Sequence, residues 1–214
     1  MTRLIVVRHG QSEGNAKGEF HGQYNSDLTA LGHEQAERTA EFVDRYTIDA
    51  IYSSDIRRAY STAKHTADRR GMPIIADTGL REIFAGDWEQ MKFTEIPEKY
   101  PEEYRLWCED IAHAHLPHGE SVAEMAARVN AAFAKIIAEN DGKTVFIATH
   151  STPIRAMRCT WSGLPLTAMQ TLGWVVNASV TVVECDGGSY REICVGQAAH
   201  LEKAGLLTNL PKNI

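Results

Sequence analysis

Two apolar segments of this chain each stop abruptly on a histidine. The run from Leu4 to Val7 is followed by Arg8 and His9, and a second run, residues 145–149, is followed by His150. Both runs predict strands inside a hydrophobic core. An unpaired charge beside a core is costly. A buried strand that ends on a cation and an imidazole therefore indicates that these side chains have a functional role.

The rest of the chain alternates strands with helices. Besides residues 4–7, strands are predicted at 50–53, 74–76 and 144–149, followed by a hairpin of 179–184 and 190–195. Helices are predicted at 30–45, 56–70, 122–139 and 153–161. Thr29 is a candidate N-cap, and Ser121 with Glu124 has the spacing of a capping box. Thr152 before Pro153 is typical of an N-cap with proline at the first helical position.

This alternation predicts the α/β fold class. We expect a three-layer α/β/α sandwich with a mostly parallel central sheet, formed as a single domain over residues 1–214. Residues 84–120 interrupt the alternation with aromatic residues, charges and prolines, and predict a small, partly helical, cap-like insertion over the active site. In such sheets ligands bind beyond the carboxyl ends of the strands. Arg8, His9 and His150 all fall at that edge.

Composition narrows the classes of function. The formal net charge is −6, which disfavours nucleic-acid binding because that binding needs dense lysine and arginine surfaces. No stretch approaches the roughly 20 apolar residues of a membrane helix, so we expect no membrane partner and a cytoplasmic location. The four cysteines have neither metal-ligand spacing nor the density of a disulfide scaffold. We expect reduced thiols, with Cys185 and Cys194 unpaired across the hairpin.

The residues at the strand ends suit a phosphoryl group. An arginine guanidinium matches phosphate oxygens with two parallel hydrogen bonds, which favours Arg8 as an anion ligand. A neutral imidazole beside it, such as His9, can attack phosphorus and form a phosphohistidine. His150 and Ser151 lie where a helix begins, and free N–H groups at that end also attract anions.

Five motifs in order resemble the histidine phosphatase, or phosphoglycerate mutase-like, superfamily. The segment "RHGQSEGN" resembles its first motif and includes Asn15, and "SSDIRRAYSTA" resembles the arginine motif, which assigns Arg58. "LREIFAGDWE" resembles the acid motif with Glu82 as proton donor. "HGES" resembles a Gly-Glu-Ser turn, and "ATHSTPIRA" resembles the second-histidine motif with His150. The resemblance covers most of the chain and implies the small phosphatase branch.

The resemblance implies a metal-independent phosphomonoesterase without a cofactor. His9 attacks phosphorus, and Arg8, Arg58 and His150 stabilise the phosphoryl oxygens. Glu82 protonates the leaving oxygen and later activates water, so its pKa is expected to be raised. The remaining expected phosphate ligands are Asn15, Gln23 and Ser151.

Other interpretations stay open for individual residues. Arg57 is adjacent to Arg58, and helix periodicity does not choose between them. The acidic rivals of Glu82 are Asp77, Asp87 and Glu89. The histidines of "HAHLPH" (His113, His115 and His118) lack a defined metal-ligand pattern and are expected in a solvated loop.

Function also has alternatives at this stage. A phosphoglycerate mutase would use the same nucleophile, although the 67 residues between Glu82 and His150 leave little room for its larger insertion. The third hypothesis is a protein that binds a phosphorylated ligand without catalytic turnover. The expected partner is a small phosphorylated substrate, and a homodimer through the C-terminal segment stays open. Two features depart from the common family pattern: Ser151 and Thr152 after the second histidine, and Asn25 in the early loop. Both bear on the size of the pocket and on which substrate fits it.

Overall fold

The computed structural model describes residues 1–208. Its strands are β1 (Thr2–Arg8), β2 (Glu19–Phe20), β3 (Ala50–Ser53), β4 (Ile74–Ala76), β5 (Met91–Lys92), β6 (Thr144–Thr149), β7 (Val180–Asp186) and β8 (Ser189–Gln197). Its α-helices are α1 (Glu13–Lys17), α2 (Ala30–Phe42), α3 (Arg57–Arg70), α4 (Ile96–Lys99), α5 (Pro101–Glu109), α6 (Val122–Glu139), α7 (Ser151–Trp161) and α8 (Ala199–Ala204).

A six-stranded sheet with the order β4-β3-β6-β1-β7-β8 forms the centre. The strands β4, β3, β6 and β1 are parallel, and β7 is antiparallel to both β1 and β8. The predicted, mostly parallel sheet is therefore confirmed. The carboxyl ends of β1, β3 and β6 meet at one edge, and the first residues of β7 reach the same edge because that strand runs the other way.

Helices cover both faces of the sheet. Ile5 and Val7 of β1 belong to a buried cluster that includes Ala63 and Ala67 of α3. The alternate side chains of β1 belong to a second cluster with residues of α6 and α7. Alternate residues of a strand point to opposite faces, so the apolar run of β1 is buried on both sides. The predicted three-layer sandwich is confirmed.

The insertion at 84–120 is partly helical, as predicted, and contains α4 and α5 with short 3₁₀ turns. Its β5 pairs with β2 in a small antiparallel sheet that the sequence did not indicate. Phe20 of β2 packs edge-on against Trp88 and Trp107, with ring centroids 5.6 and 5.3 Å apart. These aromatic contacts attach the insertion to the loop after β1.

Side-chain capping marks the start of α1, α2 and α6. Thr29 accepts a hydrogen bond from the Gly32 amide, and Ser121 with Glu124 forms the predicted capping box. The prediction for α7 was wrong, because its N-cap is His150 and not Thr152. The first N–H groups of a helix have no partner inside it, so Pro153 is tolerated two residues further in than expected.

Glycine is required where α2 approaches the loop after β1. A Cβ on Gly32 would lie 2.1 Å from the Gln11 carbonyl oxygen. We expect Gly32→Ala to lower the free energy of unfolding by about 1–3 kcal/mol, measured by urea denaturation, because overpacking outweighs the gain in helix propensity. The control is Gly173→Ala, where a Cβ meets no atom within 4 Å. Equal stability of the two variants would contradict this explanation.

The C-terminal segment docks only in part. Leu201 of α8 is buried, Leu206 is partly buried and Leu207 is exposed. The C-terminal helix therefore docks through Leu201, and residues 209–214 lie outside the described residues. All four cysteines are free thiols, which confirms that Cys185 and Cys194 are unpaired. Within residues 1–208, no helix is long and apolar enough to cross a membrane.

Candidate active site

A cleft of about 540 Å³, open to solvent, lies at the sheet edge where β1 and β6 end. Strand ends, the loop after β1, the start of α7 and the insertion all contribute to its wall. The lining residues are Arg8, His9, Ser12, Asn15, Glu19, Phe20, His21, Gly22, Arg58, Glu82, Phe93, Trp107, Ser151, Thr152 and Trp174.

The His9 ring has one nitrogen that can act as a nucleophile. Its Nδ1 donates a hydrogen bond to the Gly10 carbonyl oxygen at 2.7 Å, and its Nε2 accepts one from Arg58 Nε at 3.2 Å. Burial lowers the pKa of His9 well below its ordinary value, and the charges of Arg58 and Arg8 lower it further. His9 is therefore a neutral imidazole whose Nε2 lone pair faces Arg58.

Two buried arginines flank His9. Arg58 donates to the carbonyl oxygens of Gly22 at 2.6 Å and Tyr24 at 3.0 Å, and Arg8 donates to that of Val175 at 2.5 Å. Burial lowers the pKa of each arginine to about 10, so both remain charged at neutral pH. Carbonyl oxygens orient these guanidinium groups without neutralising them, which leaves positive charge available for an anion.

His150 lies beside His9 but is fully buried and is not among the residues that line the cleft. The two ring centroids are 5.2 Å apart in an edge-on arrangement, and His150 Nε2 forms a hydrogen bond with Ser54 Oγ at 2.9 Å. Burial lowers the pKa of His150 well below its ordinary value. Within residues 1–208, His150 Nδ1 and Arg8 Nε are buried without a hydrogen-bond partner. Buried polar atoms are rarely unpaired, so this pair favours a polar ligand at the site.

Glu82 is one of two carboxyl groups that line the cleft, the other being Glu19. Glu82 is 8% exposed, and its oxygens accept hydrogen bonds from the Ile83 amide at 2.9 Å and the Thr152 amide at 3.4 Å. Burial raises the pKa of Glu82, although both amides and the charge of Arg58 oppose that effect. The raised pKa agrees with the predicted direction. Its acidic rivals Asp77, Asp87 and Glu89 do not line the cleft.

Of the other predicted phosphate ligands, two line the cleft and one does not. Asn15 and Ser151 line the cleft, and Asn15 Oδ1 accepts a hydrogen bond from Asn177 Nδ2 at 3.0 Å. The Gln23 side chain is outside the lining: its Nε2 donates to the Glu82 carbonyl oxygen at 3.0 Å. Gln23 thus supports the backbone of Glu82, and its direct contact with phosphate stays a prediction.

Arg57 and Arg58, between which helix periodicity did not choose and the family motif favoured Arg58, have different environments. The Arg58 side chain is buried in the cleft, whereas that of Arg57 is 60% exposed and lies 4.0 Å from an Asp27 carboxylate oxygen.

The backbone of the first motif has a hydrogen-bond partner that the sequence did not indicate. Asn177 Nδ2 donates to the carbonyl oxygens of His9 and Gly10 at 3.1 and 3.3 Å.

The arrangement combines a neutral nucleophile, two cations and a protonatable carboxyl group. Cations and helix N–H groups favour an anionic ligand. A carboxyl group with a raised pKa can donate a proton near the pH at which it titrates. The histidines at 113, 115 and 118 lie outside the cleft, and within residues 1–208 no group of three histidine, cysteine, aspartate or glutamate residues could hold a metal ion. The geometry supports nucleophilic chemistry on a phosphate ester.

This chain belongs to the histidine phosphatase superfamily (branch 1), whose family model matches residues 4–197. Phosphoserine phosphatase 1 of Hydrogenobacter thermophilus is 34% identical over 186 residues, which are 87% of this chain and 88% of that protein. A glucosyl-3-phosphoglycerate phosphatase of Mycolicibacterium vanbaalenii is 35% identical over 205 residues, covering 89% of this chain and 90% of that protein.

Solved structures show the same fold. Bacillus stearothermophilus YhfR superposes with a TM-score of 0.88 at 30% identity, covering 94% of this chain and 100% of that one. Mycobacterial glucosyl-3-phosphoglycerate phosphatase Rv2419c with VO3 gives a TM-score of 0.82 at 33% identity, covering 89% of this chain and 96% of that one. The predicted family and enzyme class, a phosphoric monoester hydrolase, are confirmed. Three of these four relatives are named phosphatases, and none of the four supports the mutase alternative.

Proposed function

We propose that this enzyme hydrolyses a small phosphorylated metabolite through a phosphohistidine formed on His9. The observation that carries the proposal is the state of the His9 ring, whose Nδ1 is a donor and whose Nε2 is an acceptor facing Arg58. A nucleophilic nitrogen needs a lone pair that carries no proton, and the lowered pKa of His9 keeps Nε2 unprotonated. A bound phosphoryl group takes over the Arg58 hydrogen bond that Nε2 accepts in its absence. The cytoplasmic location expected from the sequence belongs to this proposal.

The reaction proceeds in two steps. In the first, His9 Nε2 forms a bond to phosphorus while the ester P–O bond breaks, and Glu82 gives its proton to the leaving oxygen. Arg8, Arg58 and His150 hold the phosphoryl oxygens. In the second, the Glu82 carboxylate takes a proton from water, the resulting hydroxide attacks phosphorus, and the N–P bond breaks. Phosphate leaves with His9 neutral and Glu82 protonated again.

All of these groups come from one chain, so the proposed chemistry does not require the homodimer that the sequence left open. The substrates named for the relatives are phosphoserine and glucosyl-3-phosphoglycerate. Both are phosphate monoesters of small alcohols, which supports the same class of substrate for this enzyme.

Metal independence is tested with p-nitrophenyl phosphate in the presence and absence of EDTA. We expect equal rates of phosphate release, because the arginines supply the positive charge that a metal supplies in other phosphoryl-transfer enzymes. Activity that disappears in EDTA and returns with a divalent cation would overturn the metal-independent mechanism. Interconversion of phosphoglycerates without phosphate release would instead support the mutase.

A further inference from the structure

Away from the proposed phosphate ligands, the cleft is lined by aromatic rings and one carboxylate. The aromatic residues Phe93, Trp107 and Trp174 line it, together with the carboxylate of Glu19 and the ring of His21. We call these five residues the outer wall. In the proposed mechanism the arginines hold the phosphate, so the outer wall is the surface left to face the alcohol part of the ester.

Glu19 is held in place by a buried histidine. The His21 ring is hydrogen-bonded at Nε2 to Glu19 Oε2, at 2.9 Å, and at Nδ1 to Ser26 Oγ, at 2.8 Å. The side chains of His21 and Glu19 are 7% and 18% exposed. Burial lowers the pKa of His21, so its ring is neutral and donates to Glu19 without cancelling the carboxylate charge. Within residues 1–208, Glu19 Oε1 has no hydrogen-bond partner.

The five residues of the outer wall include neither lysine nor arginine. The charges of Arg58 and Lys17 act on the neighbouring His21, but neither side chain forms a salt bridge with Glu19 in the described part of the chain.

One aromatic residue of the outer wall, Trp174, contacts a cation. The Arg155 guanidinium lies 3.8 Å from the centroid of its ring. Arg155 does not line the cleft, and it donates to the carbonyl oxygens of Met169 at 2.5 Å and Leu172 at 3.0 Å. Its hydrogen bonds are thus directed to the backbone behind Trp174.

We propose that Glu19 is a specificity-determining residue that selects phosphate monoesters of amino alcohols, with the substrate ammonium group bound between Glu19 and the aromatic residues of the outer wall. A carboxylate attracts an ammonium group and repels a second carboxylate. Aromatic rings add to the attraction of a cation. The inference rests on the proposed phosphatase function and names the substrate class for the same cleft.

A matched series of three substrates tests this selectivity: 2-aminoethyl phosphate, 2-hydroxyethyl phosphate and phosphoglycolate. They differ in the charge at one end, which is positive, neutral and negative. We expect kcat/KM to fall in that order, by about tenfold at each step for one charge interaction in a partly open cleft. Equal values for the three, or a preference for phosphoglycolate, would overturn the proposal.

The variant Glu19→Gln tests the residue itself. A glutamine oxygen can still accept from His21, so the contact is kept while the charge is removed. We expect the ratio of kcat/KM for 2-aminoethyl phosphate to that for phosphoglycolate to fall about tenfold or more. A purely structural role would lower all three values equally and leave the ratio unchanged, which would contradict the assignment. Glu34→Gln, at an exposed position on α2, is the control for the change in net charge.

Failure of this inference is distinguishable from failure of the phosphatase mechanism. Hydrolysis of p-nitrophenyl phosphate that depends on His9 but shows no ordering of the three substrates would refute the role of Glu19 alone. Absence of any dependence on His9 would refute the mechanism of the cleft as a whole.

Discussion

His9→Ala is expected to lower kcat/KM for a phosphate monoester by about 10⁴-fold or more, because the covalent route is lost with the nucleophile. The arginines and Glu82 stay in the cleft and can still bind substrate. What disappears is the imidazole whose Nε2 lone pair faces Arg58. The measurement is phosphate release under saturating and limiting substrate.

The control for this variant is His33→Ala. His33 is exposed on α2 and is hydrogen-bonded to His65, at 3.1 Å, away from the cleft. We expect its activity to match that of the native enzyme. Thermal unfolding of both variants verifies that the proteins are folded. A folded His9→Ala enzyme that retains more than a small fraction of native activity would exclude a phosphohistidine route through His9.

Glu82→Gln is expected to lower kcat/KM by an amount that depends on the leaving group. An alkyl alcohol leaves poorly without a proton, so we expect a loss of about 10²- to 10⁴-fold for 2-hydroxyethyl phosphate. p-Nitrophenolate leaves without protonation, so a loss of about tenfold or less is expected for its ester. The quantity to compare is kcat/KM, because it reports the first chemical step.

The pH dependence follows from the same carboxyl group. Burial raises the pKa of Glu82 above its ordinary value, so the protonated, active form persists above the usual range and is lost as pH rises through that pKa. On the acid side, protonation of His9 removes the nucleophile, and the pKa of His9 is well below the ordinary value for histidine. The alkaline limb of kcat/KM for an alkyl phosphate should disappear in Glu82→Gln.

Asp87→Asn is the matched control, because Asp87 was an acidic rival of Glu82 in the sequence. On the surface of the insertion, Asp87 Oδ2 is hydrogen-bonded to His118 Nδ1 at 2.9 Å and to the Tyr100 hydroxyl at 3.0 Å. We expect this variant to keep both the rate and the alkaline limb. If Asp87→Asn lost the limb and Glu82→Gln kept it, the assignment of the general acid would be wrong.

The sequence was sufficient to predict the sheet and its active edge. The uniformly apolar run before Arg8 indicates a strand buried on both faces, and side chains past the ends of parallel strands meet at one edge. Local signals at Thr29 and Ser121 also predicted helix starts correctly. These features depend on neighbours in sequence or on a simple strand period, which is why they can be deduced without coordinates.

Other features of the site depend on tertiary contacts. Asn177 contacts the backbone of His9 because β7 is antiparallel and begins at the edge where β1 ends. A search limited to the carboxyl ends of strands misses such a residue, although an asparagine just before an antiparallel strand is a usable signal. The pairing of Glu19 with His21 depends on packing inside the loop after β1. Thr152 was expected to be a cap and instead donates its amide to Glu82.

The most direct test is to trap the phosphoenzyme. In Glu82→Gln, p-nitrophenyl phosphate should still phosphorylate the enzyme, while loss of the general base slows hydrolysis of the intermediate. We predict a burst of one p-nitrophenol per active site and, after alkaline quenching, mass spectrometry that places one phosphoryl group on His9. No phosphoryl group should be found when His9→Ala is combined with Glu82→Gln. A phosphoryl group on another residue, or turnover without any phosphoenzyme under these conditions, would contradict the mechanism.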